Sequence, residues 1–371
     1  MSAERVRRVL MTADGVGGVW TYALDLARGL SEHDVAVDLA VMGPPLSDDQ
    51  RRDAISQGIT PIEGPYRLEW MDEPWADVDR ASRWLLDLER ALQPDVVHLN
   101  GFCHGPLSWR APIVMAGHSC VRSWWRAVHG ADAPSGWDEY SRRVKAGLQS
   151  AALVAAPTTA MAAELERDYG PLPEMRVIPN GRDFTPAVLP RRPLVFSAGR
   201  VWDEAKNIDT LCAAAAEISW PVYVAGDHRH PRGHCAASGY VHYLGRLDAA
   251  QVRQWYGRAS IYALPARYEP FGLSVLEAAR SGCALVLGDI RSLRENWNGA
   301  ALFVPPDNRR AIAAAIQSLI DDEPLRNDLA SRAIRRAQQF TVAAMTAGYL
   351  DAYDHAVGST ARRHPVMAVA R

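Results

Sequence analysis

Lysine is nearly absent from this 371-residue chain: of 41 basic residues, only Lys145 and Lys206 are lysines. A sequence that otherwise uses arginine has kept a lysine at 206. Net charge is also small, at -2, and the basic residues are dispersed among acids, which excludes a nucleic-acid footprint. No apolar run is long enough for a transmembrane helix, and no basic amphipathic face supports membrane docking. The five cysteines, Cys103, Cys120, Cys212, Cys235 and Cys283, form no CxxC pair and are odd in number. That argues against a disulfide frame and suits a reducing compartment. The stretch "MSAERVRRVLMTADGVGG" has basic residues but no signal-peptide core, so a cytoplasmic location is expected. There is no GxGxxG, no acid clearly ending the second strand, and no repeat of fixed period.

What is present is alternation. Short apolar runs such as "RRVLMTA", "DVVHLN", "PIVMAGH" and "MRVIPNG" are each followed by a loop and mostly by a helical pattern. Near-continuous hydrophobicity implies strands buried on both faces, hence parallel sheets between helices. "PAVLPRRP" (residues 186–193) has three prolines and no periodicity and reads as a linker, after which "LVFSAGR", "PVYVAGD" and "IYALPA" restart the pattern. The expectation is an α/β protein of two doubly wound, Rossmann-like domains facing across a cleft, spanning 1–187 and 188–340. The tail, 358–371, is expected to be flexible.

"RYEPFGLSVLEAARSG" carries Glu269 and Glu277, eight positions apart. Pro270 disfavours helical geometry at Glu269 and leaves that acid in the loop above a strand. Phe271, Gly272 and Leu273 then offer uncommitted backbone N–H groups at the positive end of a helix, a site suited to phosphate. Two acids around an anion site fit a ligand with hydroxyls, a diphosphate and more hydroxyls, as in a nucleotide sugar. The plainer alternative puts Glu277 on a solvated face.

"RVWDEAK" sets Arg200 and Lys206 on one loop beyond a strand, where two cations can neutralise a diphosphate without a metal. Surface pairing with Asp203 and Glu204 is the alternative. In "TADGVGGVW", Gly15, Gly17 and Gly18 follow the first strand and let backbone approach a phosphate or sugar. His118 ends a strand, and the next loop carries Arg122, Trp124 and Trp125, whose rings can stack on a sugar or fill a core. "DHRHPRGHC" holds His228, His230, His234 and Cys235, but its spacing fits no familiar zinc finger and no second ligand cluster follows. No metal site is expected.

These residues resemble the retaining GT-B glycosyltransferases of family 4. The E-x7-E element is "EPFGLSVLE", the R-x5-K element "RVWDEAK", with "GVGGV", the "HS" at His118 and "VIPNGRDF" in family order over nearly the whole chain. The resemblance implies an N-terminal acceptor domain and a C-terminal domain for the nucleotide-sugar donor. It also implies a final helix, 341–357, that crosses back to the first domain. Arg200 and Lys206 would hold the diphosphate with the amides of Phe271, Gly272 and Leu273, while Glu269 would take donor-sugar hydroxyls and Glu277 the ribose. Gly17 and Gly18 would close over the diphosphate, and His118 would lie near donor sugar and acceptor. Asn100 stands where many relatives have a second histidine, and Arg182 where a small residue is usual. Asn100, Arg122, Trp124 and Trp125 are the acceptor-side candidates.

The activity so implied is hexose transfer, with retention and without a metal cofactor, from a UDP or GDP sugar to a small-molecule or glycan hydroxyl. A nucleotide-sugar epimerase or hydrolase would share the donor site but need no acceptor. A non-catalytic sugar-binding protein is opposed by intact Glu269, Arg200 and Lys206. An NAD-dependent dehydrogenase is disfavoured by the missing GxGxxG.

Overall fold

The structure is a computed structural model that describes residues 5–183, 185–226, 229–230, 233–234 and 240–363. Among them no helix is long and apolar enough to cross a membrane. The loop histidine His228 and Cys235 lie outside the described residues, as does the chain beyond 363. The chain forms two compact units. One comprises Met1–Ser123, Asp132–Gly181 and Val342–Arg371; the other comprises Trp124–Ala131 and Arg182–Thr341.

The first unit holds strands β1 (Arg8–Asp14), β2 (Ala36–Met42), β3 (Ile62–Gly64), β4 (Val96–Leu99), β5 (Ile113–Ala116), β6 (Leu153–Ala156) and β7 (Met175–Val177). Its helices are α1 (Gly18–Ser31), α2 (Asp48–Ser56), α3 (Trp75–Leu92), α5 (Asp138–Ser150) and α6 (Thr159–Tyr169), while α4 (Val121–His129) starts there and has its later part in the second unit. The seven strands are all parallel, in the order β3-β2-β1-β4-β5-β6-β7. Val9, Leu10, Met11, Val96, Val97, Val114 and Leu153 are fully buried, as runs covered by helices on both faces must be.

The second unit holds β8 (Arg192–Ala198), β9 (Val222–Ala225), β12 (Val241–Gly245), β13 (Ala259–Leu264), β14 (Ala284–Gly288) and β15 (Ala301–Val304), with a small ribbon of β10 (Arg229–His230) and β11 (Gly233–His234). Its helices are α7 (Ile208–Ala214), α8 (Ala249–Arg258), α9 (Leu273–Arg280), α10 (Arg291–Trp297), α11 (Arg309–Asp321) and α12 (Glu323–Ala337). The six-stranded sheet is again parallel, in the order β12-β9-β8-β13-β14-β15. The proline-rich segment belongs with this unit: a Cβ on Gly257 would stand 2.6 Å from Ala187 O, and Arg191 Nη1 donates to Tyr256 O at 2.8 Å. The chain therefore changes unit at Gly181/Arg182, before the proline-rich segment rather than within it.

The last helix, α13 (Val342–Arg363), belongs to the first unit and packs along α1. Gly29 makes that packing close, since a Cβ there would lie 2.1 Å from Thr346 Oγ1. The expected flexible tail from 358 is corrected in part: the helix runs on to Arg363. Nothing in "GSTARR" breaks it, for the first proline of that stretch is Pro365.

Candidate active site

In the second unit the strand order reverses between β8 and β13, with β9 and β12 on one side and β14 and β15 on the other. Loops leaving the carboxyl ends of two such strands diverge and open a crevice. The β8 exit carries Arg200 and Lys206, and the β13 exit carries Glu269. Lys206 Nζ lies 2.5 Å from Glu269 Oε2, with the two side chains only 16% and 12% exposed. The structure thus joins the R-x5-K and E-x7-E elements through their inner members.

Several contacts hold that junction. Asn207 sits in the left-handed region (φ 58), and its amide donates to Pro265 O at 2.8 Å and Pro306 O at 2.7 Å. Arg267 N donates to Ala205 O at 2.8 Å, and Ser292 Oγ donates to Glu269 O at 2.6 Å. Asp203 is buried and takes Arg200 Nη2 at 2.8 Å, Trp124 Nε1 at 3.2 Å and Ala205 N at 3.1 Å. Burial alone pushes its carboxyl up, but the charges of Arg200 and Lys206, with these donors, outweigh burial and hold it below the usual range. The alternative of surface pairing is therefore half right: Arg200 is paired with Asp203, whereas Lys206 pairs with Glu269.

Beyond Glu269 the chain turns at Gly272, φ 91, and α9 begins without a side-chain cap. The N–H groups of Phe271, Gly272 and Leu273 meet no acceptor among the described residues. On α9, Val275, Leu276, Ala278 and Ala279 are buried, so Leu273, Ser274, Glu277 and Arg280 share the half-buried remainder. Glu277 is not on a solvated face. Its Oε1 accepts Arg182 Nε at 2.6 Å, and the buried Tyr256 hydroxyl, raised well above its ordinary value by burial and then by the Glu277 charge, lies beside it. Arg182, noted from sequence only as a departure, is thus the direct partner of the expected ribose acid.

In the first unit the strand order reverses between β1 and β4. Gly17 has φ 81 and caps α1, which explains the glycine; Gly17 and Gly18 are both exposed. One residue past β4, Asn100 receives its backbone support from Thr12: Asn100 N donates to Thr12 Oγ1 at 2.9 Å and Nδ2 to Thr12 O at 2.7 Å. His118 Nε2 lies 2.8 Å from Asn100 Oδ1, and its ring packs edge-on to Tyr22 with centroids 4.4 Å apart.

Each acceptor-side candidate has neighbours of its own within the protein. Asn100 has its amide committed to Thr12 and His118. Arg122 turns to the buried carboxylate of Asp168 at 3.9 Å. Trp124 and Trp125 pack on each other and on His129, with centroids 6.0, 5.4 and 4.5 Å apart, and Trp124 also bonds Asp203. Arg122, Trp124 and Trp125 stand on the helix α4, not on the loop expected after His118, and the partners they meet are a tertiary fact that local sequence does not reveal.

Burial lowers three histidines of this unit from their ordinary value: His98 to about 3, His104 to about 4 and His118 to about 4. An unfolded histidine takes its proton near pH 6.5, where these folded rings do not. The unfolded state therefore binds more protons as pH falls from 6.5 towards 4, and stability is lost across that window. For a fully buried ring such as His98 the slope approaches about 1.4 kcal/mol per pH unit. Urea midpoints measured from pH 7 to 4 are expected to fall steadily; a flat profile would show that the rings charge freely in the folded state.

Comparison with known proteins follows the same outline. Residues 16–185 match the family described as Glycosyltransferase Family 4, and residues 192–322 match Glycosyl transferases group 1. The chain is 26% identical to D-inositol 3-phosphate glycosyltransferase of Jonesia denitrificans, over 88% of each protein. It is 28% identical to glycogen synthase of Mycobacterium tuberculosis, over 87% of this chain and 86% of that one. Among solved structures, sucrose-phosphate synthase from Thermosynechococcus elongatus shares the fold with a TM-score of 0.80 at 19% identity, covering 95% of this chain and 100% of that one. Anabaena HepE, solved with UDP and glucose, does so with a TM-score of 0.72 at 16% identity, covering 93% and 99%. The fold is of the GT-B type, and two matches that omit only the chain ends and residues 186–191 show that the chain belongs to the group 1, family 4 glycosyltransferases.

Proposed function

We propose that this glycosyltransferase moves a hexose from a nucleoside-diphosphate sugar to an acceptor hydroxyl with retention, and that it needs no metal to do so. The observation that carries this reading is the junction of Lys206 with Glu269 beside the uncapped start of α9. A cation and three backbone donors there suit a diphosphate, and a carboxylate beside them suits sugar hydroxyls. Arg200, on the same loop, adds a second cation to the phosphate side. As the sugar–phosphate bond breaks, charge grows on the leaving diphosphate, and donors already in place stabilise it. The acceptor hydroxyl enters from the face the phosphate leaves. Glu277, held by Arg182, takes the ribose hydroxyls. UDP and GDP are the favoured nucleotides; the fold neighbour HepE binds UDP.

A melting panel with UDP, GDP, ADP, CDP, NAD and phosphate, each in EDTA, tests this. A nucleoside diphosphate at 100 times its Kd should stabilise the protein by about 2.7 kcal/mol. A rise with UDP or GDP in EDTA, abolished by Lys206→Ala, is the expected result. A rise with NAD alone would overturn the reading. With donor and acceptor supplied, a new glycosidic bond separates transfer from release of free sugar or an epimer.

A further inference from the structure

We propose that Glu69 determines which acceptor the protein takes: its carboxylate accepts a hydroxyl of a neutral polyol and turns phosphorylated sugars away. Calling that ligand the acceptor rests on the reading above; the binding itself concerns the first unit alone and is tested without a donor.

The chain carries Glu69 to the point where the strand order of the first sheet reverses. β2 and β1 stand between β3 and β4, yet the segment that leaves β3 reaches the exit of β4. It crosses the carboxyl edge on the way. Gly43 N, just past β2, donates to Tyr66 O at 2.8 Å. Leu68 lies in one buried cluster with Leu10 of β1 and Met42 of β2, and Val16 of the glycine loop packs against that cluster. Glu69 then meets the chain after β4. Phe102 N donates to its Oε1 at 3.1 Å and its Oε2 at 3.0 Å, and Cys103 N donates to Oε2 at 2.8 Å. The acid thus stands beside one of the two strands that flank the reversal, where a doubly wound sheet opens to a ligand.

The carboxylate keeps capacity for a ligand. Two N–H groups and the Cys103 thiol leave at least one of its roughly four lone-pair sites for a hydroxyl. Gly101 leaves the group open, since a Cβ there would stand 3.5 Å from Oε2 and 3.9 Å from Oε1. Glu69 is half-buried and pairs with no cation among the described residues. The arginines of this region are engaged elsewhere. Arg67 lies 3.8 Å from Asp77 and donates to Asp72 O at 2.8 Å, while Arg122 lies 3.9 Å from Asp168. Arg143, whose charge is felt at Cys103, donates to Asp79 Oδ1 and Glu139 Oε1, each at 2.7 Å. Burial pushes the Glu69 carboxyl above its ordinary range, and the amides of Cys103 and Phe102 oppose that shift without help from a cation. A carboxylate so placed favours groups that donate hydrogen bonds to it and disfavours a second anion. A staple for the β4 exit would need only its oxygen atoms, not its charge.

The test uses the full-length protein at pH 8 without nucleotide. The probes are myo-inositol with D-inositol 3-phosphate, glucose with glucose 6-phosphate, and fructose with fructose 6-phosphate. Ligand-observed NMR titrations give the Kd of each. A neutral member is expected to bind at least about tenfold more tightly than its phosphate. Glu69→Gln keeps an oxygen for the N–H groups and removes the charge, so that ratio should fall by at least about tenfold. Gly101→Ala, which sets a methyl group over Oε2, should weaken the neutral member while the charge remains. A wild type that binds no neutral member, or binds a phosphate as tightly as its parent sugar, would overturn the proposal without any variant needing to fold. So would a Glu69→Gln protein, folded by its amide spectrum, with the wild-type ratio; loss of a mere staple would weaken both members alike. Transfer is read separately with UDP-glucose and GDP-mannose. A polyol that binds with this selectivity but receives no sugar from either would count against the donor reading and leave the role of Glu69 in binding intact.

Discussion

Lys206→Ala is expected to lower kcat by roughly 10²–10³-fold, with a smaller rise in donor KM. The side chain does two things in the structure, and both are lost. Its ammonium is the cation nearest Glu269, at 2.5 Å, and stands where the leaving diphosphate would gather charge. Its stem covers Gly199, whose Cβ position lies 3.6 Å from Lys206 Cγ. Removing it also leaves Glu269, 12% exposed, without its partner, and breaking a buried pair can cost several kcal/mol. Lost activity must therefore be separated from lost fold. Lys206→Ala with Glu269→Gln removes the uncompensated charge and should recover melting temperature but not turnover. A Lys206→Ala enzyme that turns over like wild type would remove the central residue from the proposed mechanism.

Gly226→Ala should destabilise the protein by at least about 3 kcal/mol, or leave it unfolded. Gly226 has φ 145, a region that side chains rarely enter, and a Cβ there would lie 1.7 Å from Gly199 O. No rotamer relieves that clash, because the obstacle is backbone. Gly199 N donates to Ala225 O at 3.0 Å, and Gly226 N to Gly245 O at 2.9 Å, so the exits of β8, β9 and β12 are tied together at this point. Gly199 immediately precedes Arg200, so any shift that admits a methyl group moves the cation loop as well. Urea denaturation reads the first effect, and kcat of any folded fraction reads the second. A variant as stable as wild type would mean that these strand exits do not pack as closely as described.

Local patterns in the chain were enough for the alternation of strands and helices, because a strand buried on both faces and a helix with one buried stripe have different apolar periods. They also placed Arg200, Lys206 and Glu269 on loops after strands, through "SAGR", "DEAK" and the restriction that Pro270 puts on its neighbour. The supporting contacts were not legible in this way. Asn207 reaches Pro265 and Pro306, Arg182 reaches Glu277 across 95 positions, and Tyr353 reaches His98 across 255. Arg122 meets Asp168 and Trp124 meets Asp203, partners that stand far from them in the chain. A side chain's nearest neighbour in sequence says little about which charge it meets.

What the sequence determined by itself was composition, period and loop chemistry: two α/β units, a lysine kept at 206, and two acids eight positions apart around a Pro-Phe-Gly break. Each follows from interactions within a few residues. Tertiary structure alone decided that Lys206 would meet Glu269, 63 positions away, and that Asn100 would serve two histidines. Both outcomes depend on which strands become neighbours. The pairing of β8 with β13 and of β1 with β4 puts distant loops at one edge of a sheet, where the reversal of strand order parts them enough to admit a ligand.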